Sequence, residues 1–98
     1  YGSLTPTENN FPMARIDIYT TSLCPYCHAA KTLLKGKGAA YNEIDIEDDL
    51  ASRETMIRRA NGRTSVPQIF IGDMHVGGCD DLHALEDAGE LDTLLGAA

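Results

Sequence analysis

Isoleucine occupies every second position in two short segments of the chain, Arg15 to Tyr19 and Glu43 to Ile46. A period of two is typical of a β-strand that is buried on one face and exposed on the other. We therefore predict a strand in each segment, with Arg15 and Asp17 on the exposed face of the first strand.

A helical pattern separates these two segments. Alanine and leucine recur at helical spacing over residues 29–34, Pro25 suits the first turn of a helix, and Gly36 and Gly38 suit its end. Two strands joined through a helix are parallel neighbours in most proteins. We thus predict a strand–helix–strand unit in which Cys24 lies at the N-terminus of the helix.

The pattern in the second half of the chain predicts one more helix, then a β-hairpin, then one or two closing helices. Acidic residues 47–49 suit the start of a helix that ends at residues 61–62. An apolar run follows over residues 68–76, with a Gly-Asp turn at 72–73, and leucines over residues 82–95 mark one or two closing helices. The order β-α-β-α-β-β-α predicts an α/β protein with a four-stranded mixed sheet and helices on both faces, the thioredoxin-like fold.

Length and charge restrict the possible functions. The chain has 98 residues, 43% of them hydrophobic and 23% charged, which suits one globular domain. A formal net charge of −7 disfavours nucleic acid and anionic lipid as partners, and no apolar run approaches the roughly 20 residues of a membrane span. We expect a monomeric protein of the cytoplasm.

The first twelve residues differ from the rest of the chain. Residues 1–12 are polar and rich in turn-forming residues, and they precede a methionine at position 13. We interpret residues 1–12 as an appended remnant or a disordered arm, and we assign residues 13–98 to the domain.

The motif Cys24-Pro25-Tyr26-Cys27 carries the clearest chemical signal. Its two thiols are close enough to form a disulfide, and the N-terminus of a helix favours a thiolate over a thiol. We assign Cys24 as the nucleophile because it comes first, and Cys27 as the resolving thiol because it lies one turn inside the helix.

An inert buried pair and half of a zinc site are the alternatives for this motif. A zinc site needs a second pair of ligands at metal-binding spacing, and the other candidates are scattered along the chain. They are Cys79, His28, His75 and His83. We therefore expect no metal, and we treat the three histidines as structural or exposed.

The segment Thr64-Ser65-Val66-Pro67 is the second motif. Local statistics favour a trans proline that opens an edge strand, because only about 5% of X–Pro bonds in folded proteins are cis. Either way, the backbone N–H and C=O of Val66 are free to pair with an extended, peptide-like ligand.

The segment Gly77-Gly78-Cys79-Asp80-Asp81 is the third motif. Its glycines allow a close approach of backbone at the start of a helix, where carboxylates bind well. Asp80 or Asp81 is either a helix N-cap or the partner of an ammonium group, so the motif could hold an α-amino acid.

Two further side chains have open roles. Tyr26 is either a surface aromatic or a wall of the thiol site, and Arg63 is either a solvated charge or a clamp for an anion.

The chain from Met13 to Leu95 resembles the small bacterial dithiol glutaredoxins. The resemblance rests on the first and third motifs and on the run Ser65-Val66-Pro67-Gln68-Ile69-Phe70-Ile71, in the family's order and spacing. The resemblance implies a glutathione site in which Cys24 bonds to the glutathione sulfur and Val66 pairs with the tripeptide backbone beside a cis Pro67. It also implies that Tyr26 flanks the sulfur and that Arg63 reaches the glycyl carboxylate. The γ-glutamyl end would be held by Gly78, Cys79, Asp80 and Asp81.

One position departs from the family pattern. Many members carry a lysine three positions before the first active cysteine, and this chain has Thr21 there. A cation near the thiolate and the glycyl carboxylate is missing, so we expect weaker thiolate stabilisation or weaker glutathione binding than in members that have the lysine.

The resemblance implies a glutathione-dependent thiol–disulfide oxidoreductase, with glutathione as reductant and bound ligand. Its protein partners would carry glutathione mixed disulfides, reduced through Cys24 alone, or protein disulfides, reduced through Cys24 and Cys27. Two alternatives remain: a carrier of an iron–sulfur cluster held between two subunits by Cys24 and glutathione, and a redoxin recharged by a flavoprotein reductase.

Overall fold

The computed structural model describes residues 15–96, so residues 1–12, which we interpret as a remnant or arm, lie outside the described part. The predicted order of elements is confirmed, with two closing helices. The elements are β1 (Ile16–Thr20), α1 (Pro25–Gly36), β2 (Asn42–Asp45), α2 (Leu50–Arg59), β3 (Gln68–Ile71), β4 (Met74–Gly77), α3 (Cys79–Asp87) and α4 (Leu91–Leu94). Among residues 15–96, no helix combines the length and the apolar character needed to cross a membrane.

The four strands form one mixed sheet in the order β2-β1-β3-β4. β1 and β2 are parallel, as the intervening helix predicts, whereas β3 is antiparallel to both β1 and β4. The turn of the β3–β4 hairpin contains Gly72 at φ +59°, a conformation that glycine adopts without strain. In the antiparallel pair of β1 and β3, the C-terminal end of β1 lies beside the start of β3, with Tyr19 opposite Gln68.

Each face of the sheet has its own apolar core. Ile16 and Ile18 of β1 pack with α1, α3 and α4, and their cluster includes the buried Leu34, Leu82 and Leu91. On the opposite face a smaller cluster packs α2 against the sheet, and it consists of Tyr19, Ile46, Met56, Ala60 and Phe70. Helices therefore cover both faces, as predicted.

The prediction that β1 is exposed on one face is wrong. All five residues of the strand are buried, and Asp17 is only 6% exposed. β1 lies inside the sheet and α2 covers its second face, so Asp17 requires partners. Its carboxylate accepts hydrogen bonds from Arg15 and Asn42 and from Arg59 of α2, and these bonds lower its pKa although burial alone would raise it.

The prediction of a trans proline opening an edge strand is also wrong. The Val66–Pro67 peptide bond is cis, as the resemblance implies, and β3 lies between β1 and β4. β4 folds back along β3 and covers the side that would have been the edge. An X–Pro bond prefers trans by only about 0.5–1 kcal/mol, so contacts between distant segments can select the other isomer.

Candidate active site

Helix α1 begins directly after Cys24, which is its N-cap residue. Cys24 has an extended backbone (φ −112°, ψ 105°), and Pro25 occupies the first helical position. The Cys27 N–H donates to Cys24 Sγ at 3.0 Å, so the sulfur takes the place of the usual capping oxygen. A backbone N–H group at the start of α1 thus points toward the Cys24 sulfur.

Cys27 differs sharply from its neighbour. Its side chain is only 1% exposed, whereas Cys24 is partly exposed, and both are free thiols. Burial raises the pKa of the Cys27 thiol to about 12, with a smaller contribution from the adjacent Cys24 side chain. Cys27 is therefore a protonated, shielded thiol near neutral pH, in agreement with a role as second rather than first nucleophile.

The segment before β3 lies beside the first thiol. Cys24 Sγ is 3.7 Å from the carbonyl oxygen of Val66, although 42 positions separate the two residues. The cis Pro67 follows Val66 and is buried. The fold thus places the second motif beside the partly exposed sulfur of the first.

The third motif begins α3, with Gly78 rather than an aspartate as the N-cap residue. Asp81 lies in the first turn, and its Oδ2 accepts from the Gly78 N–H at 2.9 Å. The same oxygen lies 3.4 Å from the Nη1 of Arg63 in a half-exposed ion pair. Gly77, at φ +114°, leaves room for this pair, because a Cβ there would lie 2.3 Å from Asp81 Oδ2 and 2.9 Å from Arg63 Nη1.

An open cavity of about 340 Å³ lies where the second and third motifs meet. Its walls come from three separate parts of the chain, and they consist of Tyr26, Arg63, Ser65, Val66, Pro67, Gly78, Cys79, Asp80 and Asp81. Eight of the nine residues implied as glutathione-binding line this cavity. The ninth is Cys24, whose sulfur lies 3.7 Å from the carbonyl oxygen of the lining residue Val66. Tyr26 is both a wall of the cavity and 64% exposed.

Cys79 lines the cavity but is not an activated thiol. It is 8% exposed, and burial raises its pKa. The ring nitrogen Nδ1 of His83 lies 2.9 Å from the Cys79 carbonyl oxygen and 3.4 Å from its sulfur. Because the carbonyl can only accept, Nδ1 carries the proton and cannot deprotonate the thiol.

Sequence reasoning gave Ser65 and Gln68 no role in the site, although both lie in the run that carries the family resemblance. Ser65 lines the cavity, and the buried Gln68 donates to the carbonyl oxygen and the hydroxyl of Ser65 at 3.0 and 3.2 Å. The position of Ser65 next to Val66 could have indicated that Ser65 belongs to the site. No local sequence pattern distinguishes Gln68 from the other residues of its strand.

Metal-binding residues do not cluster within residues 15–96: no group of three or more His, Cys, Asp and Glu side chains is arranged to hold an ion there. The arrangement combines one partly exposed sulfur that accepts a backbone hydrogen bond, one shielded sulfur a turn away, and a cavity lined by side chains of both charge signs. It is suited to thiol–disulfide exchange with a ligand that carries both charges.

Comparison with known proteins agrees with this chemistry. The glutaredoxin family model matches residues 16–76. Glutaredoxin 3 of Escherichia coli (strain K12) is 57% identical over 83 residues, which cover 85% of this chain and 99% of that protein.

Solved structures give the same result. The solution structure of a glutaredoxin from Brucella melitensis has a TM-score of 0.77 and 54% identity, and the match covers 89% of this chain and 94% of that one. The crystal structure of a buckwheat glutaredoxin–glutathione complex has a TM-score of 0.76 and 28% identity, with 84% and 76% of the two chains covered.

Proposed function

The chain belongs to the glutaredoxin family, a class of thiol–disulfide oxidoreductases, and we propose that it uses glutathione both as reductant and as bound ligand. It reduces protein–glutathione mixed disulfides and protein disulfides. The buckwheat relative was solved with glutathione, which supports the assignment of the same ligand to this chain.

The observation that carries the proposal is the position of Cys24 between a helix N-terminus and a peptide-binding segment. The sulfur accepts the Cys27 N–H at 3.0 Å and lies 3.7 Å from the Val66 carbonyl. A nucleophilic sulfur supported in this way lies next to backbone groups that can pair with an extended tripeptide.

The ligand is oriented by its charges. Its γ-glutamyl end carries an ammonium and a carboxylate, and these groups suit the Asp81 carboxylate and the backbone N–H groups at the start of α3. Arg63 binds the glycyl carboxylate, as the resemblance implies. Its Nη1 is the atom that pairs with Asp81, and a guanidinium has further N–H donors for a second carboxylate.

The first reaction needs only Cys24. Its thiolate attacks the glutathione sulfur of a protein–glutathione disulfide, the new Cys24–glutathione bond forms, and the target leaves as a thiolate. A second glutathione thiolate then attacks the glutathione sulfur on Cys24, which releases oxidised glutathione and regenerates the Cys24 thiolate.

The second reaction needs Cys27 as well. Attack of Cys24 on a protein disulfide gives a mixed disulfide with the target, and Cys27 displaces the target to form a Cys24–Cys27 disulfide, which glutathione reduces. Part of the raised pKa of Cys27 comes from Cys24. Once Cys24 is bonded to the target it carries no charge, so Cys27 ionises more easily at the step where its thiolate is required.

Substitution of the two cysteines tests the proposal. Activity is measured with glutathione, glutathione reductase and NADPH, first on a glutathionylated peptide and then on a protein disulfide. We expect Cys24→Ser to abolish both activities and Cys27→Ser to keep only the first. Thioredoxin reductase in place of glutathione is the control. Turnover by Cys24→Ser, or turnover with thioredoxin reductase alone, would contradict the proposal.

We further propose that the protein acts as a monomer in the cytoplasm, where the glutathione pool keeps thiols reduced. Its partners are glutathionylated and disulfide-bearing proteins.

A further inference from the structure

Gln68, the first residue of β3, is a fully buried polar side chain with a partner at each end. Its Nε2 donates to the Ser65 carbonyl, and its Oε1 lies 2.7 Å from Nε2 of His75. The Ser65 carbonyl can only accept, which settles the orientation of the amide. Oε1 is then the acceptor at the other end, so the His75 Nε2 carries the proton and donates it.

His75 is held in place by its surroundings on β4. Its ring stacks on Phe70, with centroids 4.9 Å apart and planes 23° from parallel. Burial and the positive charges of Arg63 and Arg59 lower the pKa of His75, while Asp81 acts in the opposite direction. The ring therefore has a single proton near pH 7, and the bond to Gln68 keeps that proton on Nε2.

This line of hydrogen bonds ends at the redox site. Ser65 directly precedes Val66, whose carbonyl oxygen lies 3.7 Å from Cys24 Sγ. A shift of Ser65 would leave the buried Gln68 amide without its acceptor, and a buried polar group without a partner is costly. The position of the Val66 backbone is thus coupled to a histidine on the far strand of the sheet.

We propose that Gln68 and His75 are positioning residues, which hold Ser65 and Val66 in register for pairing with the extended part of a glutathionylated substrate. This inference rests on the proposed function. The two side chains do not touch the reacting sulfurs. Their loss weakens substrate binding and leaves the reactivity of Cys24 unchanged.

Two substitutions of His75 separate the hydrogen bond from packing. His75→Phe keeps an aromatic ring against Phe70 but removes the donor, whereas His75→Gln keeps an N–H at nearly the same reach but removes the ring. We expect His75→Phe to raise KM for a glutathionylated peptide about five- to tenfold, the effect of one lost buried hydrogen bond, with little change in kcat. His75→Gln should stay within about twofold of the parent KM.

Gln68→Met keeps the volume and removes the hydrogen bonds to Ser65 and to His75, so it should change KM in the same direction as His75→Phe. The rate at which iodoacetamide alkylates Cys24 should be the same in all of these variants. Equal KM values for the two His75 variants, or a KM for His75→Phe equal to that of the parent, would overturn the inference.

A measurement on the unsubstituted protein covers the case in which a variant does not fold. Nitrogen-15 shifts of the imidazole ring at pH 7 should report the Nε2–H tautomer of His75, and the Nδ1–H tautomer would refute the hydrogen-bond line. Absence of turnover in the parent protein would refute the proposed function itself, a result distinct from both outcomes above.

Discussion

Replacing Cys24 with serine leaves Cys27 and Cys79 as the only thiols and tests whether burial keeps them unreactive. Cys27 is 1% exposed and Cys79 is 8% exposed. The proposed roles of Cys24 and Cys27 require that a disulfide reagent reacts with the first sulfur and not with the second.

The raised pKa of Cys27 sets the magnitude. With a pKa of about 12, the Cys27 thiol is ionised in roughly one molecule in 10⁴ at pH 8, against about one in ten for a thiol at the ordinary value of 9.0. The more basic thiolate is also the better nucleophile, which recovers about 20-fold of this roughly 1,000-fold difference. Ionisation alone then slows alkylation on the order of 50-fold.

Serine at position 24 removes the smaller part of the pKa shift, which comes from the Cys24 side chain. Burial, the larger part, remains and also limits access of the reagent. We therefore predict that folded Cys24→Ser protein reacts with iodoacetamide at pH 8 at least about tenfold more slowly than free glutathione does.

Mass spectrometry gives the number of labels and their positions over time. In guanidinium chloride the same variant should take up two labels rapidly, which shows that both thiols are chemically intact. The matched variant Cys27→Ser should take up one label quickly in the folded state, at Cys24. Labelling of Cys27 in folded protein at the rate of glutathione would refute the argument that burial separates the two roles.

Three further predictions follow from the charges and the backbone of the site. Arg63→Gln should lower turnover of glutathione disulfides about three- to tenfold, the effect of losing one half-exposed charged hydrogen bond. The difference should vanish with the glycyl ethyl ester of glutathione, which lacks the carboxylate charge. A difference that persists with the ester would place Arg63 at the γ-glutamyl end instead. Gly77→Ala should lower stability by about 1–3 kcal/mol in thermal unfolding, because φ +114° disfavours a side chain, and it should raise KM, because the new Cβ would displace Asp81. The control is Gly62→Ala, at φ +93° with open space around it, which should lower stability without changing KM. The folded-state pKa of Cys27 lies above the ordinary value of 9.0, so its contribution to stability is present below pH 9 and is lost as pH rises toward 12. In that window the free energy of unfolding of the reduced protein, measured by denaturant titration, should fall by up to about 1.4 kcal/mol per pH unit. The profile of Cys27→Ala should be flatter.

Some features of the fold follow from short stretches of sequence. The period of two in the first strands, the helical spacing of residues 29–34 and the Gly-Asp turn at 72–73 each concern neighbours in the chain, and the structure confirms each element. The position of Cys24 at a helix N-terminus is local in the same sense, because Pro25 determines where α1 begins.

The predictions from local sequence were wrong where a strand contacts an element that is distant in the chain. Asp17 alternates with isoleucine like a surface residue, yet Arg59, 42 positions away, reaches it across the second face of the sheet. The isomer of the Val66–Pro67 bond could not be obtained from local preference either, since the energy difference between isomers is smaller than the packing energy available in the fold. The resemblance to a family supplied the isomer, but the spacing of residues did not.

The sequence by itself determined the elements, their order and the candidate thiol pair, because periodicity, turn residues and a cysteine pair at a helix start act over a few neighbouring positions. The shielding of Cys27 is expected from its place one turn inside the helix, but only the tertiary structure decided its extent. The tertiary structure also decided that Val66 lies beside Cys24, that Arg63 pairs with Asp81, and that His75 reaches Ser65 through Gln68. These contacts join residues far apart in the chain, and their energies exist only once both cores have brought the segments together.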